Sequence, residues 1–189
     1  MQAVLADVKP AYAGWCKLFV ATIRLPDGRT FTREIEDHGR ATAMLPFDPV
    51  RRTAIVIRQL RAPALYVGRP DHLIEAVAGL LEPNEDAETS ARRECLEEAG
   101  LQLAAVERIT TAWTMPGIST ERMDLFLGEY GAADRITAGG GLAAEHEDIE
   151  VIELPLHDLV AMVDAGEEMD MKVLALVQTL RLRRPELFG

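Results

Sequence analysis

The first third of the chain alternates between apolar and polar residues, which is the two-residue period of β-strands with one buried face. This pattern predicts strands at residues 17–25, 30–36, 41–47, 53–60 and 72–78. Pro26, Asp27 and Gly28 separate the first two runs and are typical turn residues, so these strands should form a hairpin. The third and fourth runs flank a second short polar turn and predict another hairpin.

From Asp86 the pattern changes to the 3.6-residue period of a helix, which continues to Ala99. Asp86 can cap the first turn, and Gly100 stands where many helices end in a left-handed residue. Further strands are expected at 104–113, 123–130 and 149–154, and further helices at 156–165 and 171–183. Strands and helices do not alternate regularly, so the predicted fold class is mixed α/β (α+β).

Composition and charge narrow the possible partners. Of the 189 residues, 48% are hydrophobic and 27% are charged, as in ordinary globular proteins. The net charge of −11 argues against a nucleic-acid partner, because phosphate backbones are bound chiefly by Lys and Arg. No apolar run approaches the ~20 residues that span a bilayer, so no membrane partner is expected. The first residues lack the pattern of a signal peptide, and Cys16 and Cys95 lack metal-ligand spacing, so a cytoplasmic protein with reduced thiols is predicted.

The predicted helix carries Glu94, Glu97 and Glu98, which project within an arc of about 100° because each residue advances the helix by about that angle. Like charges four residues apart destabilise an isolated helix, and the neighbouring Arg93 can relieve only one of them. Clusters of carboxylate oxygens suit hard divalent cations such as Mg²⁺ or Mn²⁺. The helix geometry by itself leaves metal binding and a solvated acidic face equally open.

The spacing of residues 79–101 resembles the Nudix box. Gly79 is followed by five residues, Glu85, seven residues, Arg93-Glu94-Cys95, one residue, Glu97-Glu98, one residue and Gly100-Leu101. Cys95 occupies a position that the family usually fills with an aliphatic residue, and we expect it to be a small buried hydrophobic side chain. The resemblance implies a Nudix α/β/α sandwich with a mixed central sheet, together with an N-terminal antiparallel sheet.

In the Nudix family this segment is a loop–helix–loop that holds divalent cations on a substrate diphosphate. The resemblance implies that Glu94 and Glu98 are the principal ligands of Mg²⁺ (or Mn²⁺). Glu97 would be an additional carboxylate of the catalytic centre, and the carbonyl oxygen of Ala78 would complete the metal site.

Other residues of the box would support this site. The resemblance implies that Arg93 orients the glutamates by pairing with Glu85 or Glu97. Gly79 would permit a tight turn into the box, and Gly100 would permit the turn that leaves it.

Segments outside the box also resemble one group of Nudix hydrolases. Pro116 lies within MPGISTE, which is similar to a loop of ADP-ribose pyrophosphatases and related nucleotide-sugar hydrolases, and REIEDHGRATAMLPFD and IRQLR resemble the same group. The resemblance implies that Arg33, Glu34 and Arg61 help to bind the nucleotide and phosphates. Glu121 is a further candidate for contact with water or substrate. For Arg33 and Glu34, an exposed strand pair is an equally open interpretation.

A second acidic segment lies in the loop at 131–148, which is too long to be a mere connection. Relatives have a Glu-X-Glu-Asp-Ile sequence here, which matches residues 145–149. The resemblance implies that Glu145 is the general base for the attacking water and that Glu147 is a further metal ligand. A mobile acidic loop is the alternative, and His146 is not expected to be catalytic.

The resemblance implies hydrolysis of the diphosphate of a nucleoside diphosphate sugar. ADP-ribose, giving AMP and ribose 5-phosphate, is the favoured substrate, and GDP-mannose, giving GMP and mannose 1-phosphate, is the alternative. A non-catalytic Nudix-like sensor of nucleotide sugars is an alternative of a different class. Residues 1–39 are expected to form a β-sheet region that dimerises, and residues 40–189 the Nudix domain, so the expected assembly is a homodimer.

Overall fold

The computed structural model describes residues 2–69, 72–145 and 147–189. Its strands are β1 (Val4–Ala13), β2 (Lys17–Arg24), β3 (Thr30–Asp37), β4 (Ala41–Asp48), β5 (Thr53–Leu60), β6 (His72–Glu75), β7 (Val77–Leu80), β8 (Val106–Trp113), β9 (Arg122–Glu129) and β10 (Glu150–Pro155). Its α-helices are α1 (Ala62–Tyr66), α2 (Ala87–Ala99), α3 (Leu156–Ala165) and α4 (Met171–Arg183). This combination confirms the predicted mixed α/β (α+β) class.

The chain forms two compact units, and the first contains the segment up to Ala41 together with Thr111–Met123. Within it, β1, β2 and β3 form an antiparallel sheet in that order. Arg24 pairs with Thr30 across the turn between β2 and β3, which confirms the first predicted hairpin. The N-terminal antiparallel sheet expected from the resemblance is therefore present.

The second unit contains Thr42–Thr110 and Asp124–Gly189. The seven-stranded sheet has the order β10-β5-β4-β9-β8, while β6 pairs with β5 and β7 pairs with β4. Strands β8 and β9 each contribute residues to both units. Phe47 lies opposite Ala54 where β4 turns into β5, which confirms the second predicted hairpin.

Helix α2 packs one face into the core of the second unit. Asp86 caps the helix, because its carboxylate accepts hydrogen bonds from the backbone N–H groups of Glu88 and Thr89 at 3.0 and 3.1 Å. Gly100 ends the helix in the left-handed region, with φ of 72°. The buried apolar residues of α2 and the core residues around them are Ala91, Cys95, Ala99, Met44, Ile55, Ile57, Val77, Leu101, Leu103, Phe126, Tyr130 and Ile149.

Three elements differ from the sequence prediction. Strand β1 was not predicted, because much of its sequence is Ala, Asp, Lys and Pro10, residue types that are disfavoured in strands. Helix α1 has five residues, too few for a helical period to show. The single strand predicted at 72–78 is two strands, β6 and β7, interrupted at Ala76.

The sequence also predicts a division into two domains and the absence of a membrane-spanning segment. The separation of residues 1–39 from residues 40–189 as two domains stays a prediction, and the compact units have the bounds given above. Across the described part of the chain, no helix combines the length and the apolar character that are needed to cross a bilayer.

The glycine that ends α2 should be harder to replace than the glycine that ends α3. Gly100 and Gly166 have the same φ of 72°, so alanine at either position should cost about 1–2 kcal/mol of backbone strain. A Cβ at Gly100 would also lie 2.2 Å from the carbonyl oxygen of Thr137, whereas one at Gly166 would meet no neighbouring atom within 4 Å. We expect Gly100→Ala to lower the free energy of unfolding by a further ~1–3 kcal/mol, measured by urea denaturation. Equal losses in the two variants would contradict this account.

Candidate active site

The site predicted from the sequence centres on two carboxylates of α2 that point into the protein. Glu94 is 9% exposed and Glu98 is 1% exposed, although both belong to a residue type that is rarely buried without a partner. They lie four residues apart on one face of the helix, so each increases the electrostatic cost of charging the other. The alternative interpretation of a solvated acidic face does not apply to these two side chains.

Glu98 is the more deeply buried carboxylate. Burial raises its pKa well above the ordinary value, and the negative charges of Glu94 and Glu147 raise it further. Two groups act in the opposite direction: the backbone N–H of Ala78, which donates to Glu98 Oε2 at 2.9 Å, and the positive charge of Arg61. Without a further cation, the deprotonated form of Glu98 is therefore disfavoured.

Glu94 lies against strand β7. Burial raises the pKa of Glu94 to about 7, because the counteracting charge and hydrogen bond of Arg93 only partly offset the loss of hydration. Gly79, in β7, leaves the space for this carboxylate, since a Cβ at Gly79 would lie 1.9 Å from Glu94 Oε1. The expected tight turn at Gly79 is therefore wrong, and the glycine is needed because the carboxylate approaches the strand so closely.

Arg93 bonds to three carboxylates at once. Its guanidinium donates to Glu85 Oε1 and Oε2 at 3.0 and 3.1 Å, to Glu94 Oε1 at 2.8 Å and to Glu97 Oε2 at 3.0 Å. It also donates to the carbonyl oxygen of Leu80 at 3.1 Å. Both pairings expected from the sequence are present, and the contact with Glu94 adds a third. Arg93 thus fixes carboxylates on the helix relative to the loop that precedes it.

The glycine-rich part of the long loop packs against the last turn of α2. The N–H groups of Gly140 and Gly141 donate to the carbonyl oxygens of Glu98 and Glu97 at 2.9 and 3.1 Å. These bonds satisfy carbonyl groups that have no partner within the helix. A Cβ at Gly139 would lie 2.3 Å from the carbonyl oxygen of Glu98, so the close approach requires glycine.

This packing places Glu147 within electrostatic range of the helix carboxylates, because its charge raises the pKa of both Glu94 and Glu98. Glu147 Oε2 accepts a hydrogen bond from the N–H of Leu142 at 2.9 Å. The backbone of Glu145 belongs to the short 3₁₀ turn Ala143–Glu145. The side chain of Glu145 and the whole of His146 lie outside the described part of the structure.

Arg61 is held by a buried carboxylate that the sequence did not single out. Its Nε and Nη2 atoms donate to Glu75 Oε1 and Oε2 at 2.5 and 2.8 Å, a bidentate pair. Lys172 donates to the same carboxylate at 3.3 Å. Burial of Glu75 raises its pKa, but the bonds and charges of Arg61 and Lys172 outweigh that effect and lower it overall. Glu75 is therefore ionised and fixes the direction of Arg61.

The remaining predicted substrate residues belong to the first unit. Arg33 and Glu34 are exposed on β3, and the guanidinium of Arg33 lies 4.7 Å from the centre of the Phe31 ring. Pro116 is exposed, and Glu121 is hydrogen-bonded to the ring of His38 at 2.7 Å. A shared role of these four residues in binding substrate stays a prediction.

Cys95 is buried among the apolar residues of the core. Burial raises the pKa of its thiol to about 12, with a further contribution from the charge of Glu98. The thiol is therefore protonated at neutral pH and cannot serve as a nucleophile. It fills the position of a small hydrophobic side chain, as expected from the sequence.

The carboxylate oxygens of Glu94 and Glu98 are candidate ligands of a divalent cation. Within residues 2–69, 72–145 and 147–189, no three or more His, Cys, Asp and Glu side chains are arranged to hold a metal ion. The chemistry of the donors nevertheless fits one, because Glu94 and Glu98 are buried and like charges oppose their ionisation. Glu98 also lies in the last turn of α2, where the helix dipole favours positive charge. A hard cation supplies the missing positive charge to this all-oxygen set.

A comparison with protein families decides the class of protein. A model of the NUDIX domain matches residues 37–176. This chain belongs to the Nudix family. The Nudix box recognised in the sequence, with its buried glutamates and its bridging arginine, is thus part of a domain that extends over most of the chain.

Several curated Nudix relatives are similar over most of their length. The chain is 40% identical over 152 residues to the GDP-mannose pyrophosphatase of Cronobacter sakazakii, which covers 80% of this chain and 78% of that protein. It is 37% identical over 151 residues to the GDP-mannose pyrophosphatase of an Enterobacter species, with coverage of 79% and 78%. Among solved structures, it is similar to a crystal structure of an ADP compounds hydrolase, with a TM-score of 0.78 and 16% identity over 98% of this chain and 96% of that chain. This likeness confirms the predicted Nudix fold.

Two features of the Nudix domain were missed at the sequence level. Glu75 has no distinguishing local pattern, although a charged residue within an apolar strand sequence is itself a signal of a buried ion pair. The run of glycines at 139–141 has no local pattern that indicates its role. All three have positive φ, and their N–H groups and lack of side chains allow the loop to pack on α2.

The raised pKa of Glu94 predicts a particular pH dependence of stability in the absence of divalent cations. Between pH values of about 4.5 and 7, the folded protein should hold a proton on Glu94 that the unfolded chain has lost. The free energy of unfolding should therefore fall as the pH rises through this range. We expect Glu94→Gln to weaken this fall and to be more stable than the wild type by about 1–3 kcal/mol at pH 8.

Urea denaturation in a chelator at several pH values measures the effect of Glu94→Gln. Glu88→Gln is the matched control, because Glu88 lies on the same helix and its side chain is 55% exposed. Parallel pH profiles of the wild type and Glu94→Gln would contradict the assignment.

Proposed function

We propose that this Nudix protein hydrolyses the diphosphate of a nucleoside diphosphate sugar, producing a nucleoside monophosphate and a sugar phosphate. The observation that carries the proposal is the pair of buried carboxylates, Glu94 and Glu98, in a Nudix box with every fixed residue in place. Ionising two buried carboxylates costs free energy, and a protein without catalytic function would gain nothing from that cost. A pair of apolar side chains would stabilise the same two positions better. The names of the curated relatives, all pyrophosphatases among those given above, support the reaction class.

The residues that would hold the cofactor, Mg²⁺ or Mn²⁺, are Glu94 and Glu98 together with Glu97, Glu147 and the carbonyl oxygen of Ala78. When bound, the cation supplies positive charge that offsets the charge of the diphosphate. Arg93 keeps Glu94 and Glu97 in place through its bonds to both, while Glu85 anchors the guanidinium. Glu145 is the proposed general base, which takes the proton of the attacking water.

Cationic and polar side chains are proposed to hold the rest of the substrate. Arg61 is the best supported of them, because Glu75 fixes its guanidinium and its charge acts on Glu98, which places it in electrostatic range of the box. The roles of Arg33, Glu34, Pro116 and Glu121 follow from the resemblance alone.

Among nucleoside diphosphate sugars, GDP-mannose is the first candidate. The curated relatives at 40% and 37% identity are named GDP-mannose pyrophosphatases, and this supports GDP-mannose ahead of ADP-ribose, the substrate first expected from the sequence. ADP-ribose stays the second candidate because the segment around Pro116 resembles the loop of ADP-ribose pyrophosphatases.

The protein is further proposed to be a cytoplasmic homodimer that binds neither nucleic acid nor membranes. Strand β1 exposes apolar side chains, among them Val4, Leu5 and Val8, which supports dimerisation through residues 1–39. Cys16 and Cys95 are both free thiols, as in proteins of a reducing compartment. Sedimentation at micromolar concentration tests the dimer, and a mass of 20.8 kDa would exclude it.

A hydrolysis screen tests the proposed reaction. GDP-mannose, ADP-ribose and other nucleoside diphosphate sugars are incubated with the protein and Mg²⁺ or Mn²⁺, and products are identified by mass. We expect turnover of at least one of these substrates and a loss of kcat of about 10²-fold or more in Glu98→Gln. Glu88→Gln, on the exposed side of the same helix, should keep wild-type kcat. Absence of turnover with bound nucleotide sugar would favour a sensor, and unchanged kcat in Glu98→Gln would refute the catalytic site.

The two glutamates of the long loop should have separable effects. Glu145→Gln should lower kcat by about 10²-fold or more and leave the affinity for Mn²⁺ nearly unchanged, because a general base does not hold the metal. Glu147→Gln should weaken Mn²⁺ binding by about tenfold as well. Glu150→Gln is the matched control, since the side chain of Glu150 is 62% exposed in β10. Kinetics, together with Mn²⁺ titration followed by electron paramagnetic resonance, measures both effects, and wild-type behaviour of both loop variants would refute their assignment.

A further inference from the structure

His38 is the centre of a half-buried cluster of charged side chains, and the proposed function gives His38 itself no role. Its Nε2 atom lies 2.7 Å from Glu121 Oε2, and its Nδ1 atom is hydrogen-bonded to Glu36 Oε1. The side chains of the three residues are only 14–19% exposed. Both nitrogens of one imidazole ring therefore face carboxylate oxygens, one on each side.

This arrangement specifies the charge of the ring. A neutral imidazole has one N–H donor and one lone pair, so it can satisfy only one of two carboxylates. The doubly protonated ring donates to both. Burial lowers the pKa of His38, but the hydrogen bonds and charges of Glu36 and Glu121 outweigh burial, so the pKa is raised overall. The geometry and the direction of the pKa shift both favour the charged form of His38.

An aromatic ring covers the imidazole. Trp15 stacks on His38 with ring centres 5.1 Å apart and an angle of 23° between the planes. A cation over the face of tryptophan is attracted by the ring electrons, and the indole also keeps water from that face. The stacking favours the charged form and restricts rotation of the ring.

The cluster joins strand β3 to residues 114–121, which we call the Pro-Gly loop because it contains Pro116 and Gly117. Glu36 lies near the end of β3, His38 directly follows the strand, and Glu121 is the last residue of the loop. The backbone follows the same connection, since Glu36 N–H donates to the carbonyl oxygen of Ile118 and Thr120 N–H donates to that of Glu36, both at 2.9 Å. A side-chain bridge thus reinforces a short backbone pairing.

We propose that His38 is a positioning residue that holds Glu121 and the Pro-Gly loop in the arrangement that binds substrate. The inference rests on the proposed function for the statement that Glu121 contacts substrate. The groups that face the imidazole are the carboxylates of Glu36 and Glu121 and the ring of Trp15, while Asp37 adds negative charge that acts on Glu36. Loss of the ring proton would place a lone pair against a carboxylate and release one side of the bridge.

The first test is a titration of the histidine rings in the intact protein, monitored by long-range ¹H–¹⁵N correlation spectra. His157→Gln is the control variant, because the side chain of His157 is 78% exposed. We expect Glu121→Gln to lower the pH midpoint of His38 by about one pH unit, because it removes one of the two carboxylates that face the ring. An unchanged midpoint of His38 in Glu121→Gln would overturn the proposal.

The second test separates positioning from a merely structural role. In the substrate screen, His38→Gln should raise KM about tenfold and change kcat less than about twofold, because Glu121 is proposed to bind substrate away from the reacting atoms. KM of the wild type should rise with pH across the midpoint of His38, and KM of His38→Gln should not. His157→Gln should match the wild type throughout.

A double-variant cycle completes this test. If His38 acts through Glu121, His38→Gln should have little further effect on KM in a Glu121→Gln background. Additive effects on KM, or a lower melting temperature of His38→Gln without any change in KM, would show that His38 only stabilises the fold and would overturn the proposal.

A third measurement distinguishes failure of the inference from failure of the proposed function. Hydrogen exchange at the amide of Thr120, which bonds to Glu36, needs no substrate. We expect His38→Gln to accelerate this exchange by about tenfold at pH 6.5, with no change in His157→Gln. If the wild type hydrolyses no nucleotide sugar, the proposed function fails, whereas the titration and the exchange rates still decide whether His38 holds the loop. Unchanged exchange in His38→Gln would refute the bridge.

Discussion

Two carboxylates of like charge are buried on one face of α2, and the structure of the second unit has to accommodate them. Glu94 and Glu98 lose hydration and oppose each other's ionisation, so the surrounding structure must supply positive charge and hydrogen-bond donors. Arg93 supplies charge to Glu94, and the backbone of β7 supplies a donor to Glu98. These partners are insufficient, because both pKa values stay raised. The deficit is the physical basis for attracting a divalent cation.

Two further pieces of structure, neither of which carries a proposed catalytic group, change the size of this deficit. The glycines at 139–141 bring the long loop onto the last turn of α2 and thereby add the charge of Glu147 to the cluster. The bidentate pair of Arg61 and Glu75 fixes a cation whose field acts on Glu98. The glycine run therefore increases the negative charge of the site, and the Arg61–Glu75 pair limits it. The first depends on the close approach of two backbone segments, and the second depends on the burial of Glu75.

Local sequence patterns predicted most of the secondary structure, and the spacing of residues identified the Nudix box. Asp86 and Gly100 marked the ends of α2 correctly, because capping is a property of neighbouring residues. Strand β1 was not predicted, because its Ala, Asp, Lys and Pro residues have a low propensity for strands. The partners of Arg61 and His38 could not be predicted either. Glu75 and Glu121 lie 14 and 83 residues away from them, and such contacts depend on tertiary packing rather than on local sequence.

The contact between Gly79 and Glu94 has a consequence for how the box can change during evolution. Glycine at position 79 is required by a carboxylate 15 residues away in the sequence, since the carboxylate fills the volume that a side chain would occupy. A chain that exchanged Glu94 for a short residue would gain a void, and position 79 would then be free to accept a larger side chain. The two positions thus constitute one coupled unit of selection, and covariation between them would distinguish Nudix domains that have given up metal chemistry from those that retain it.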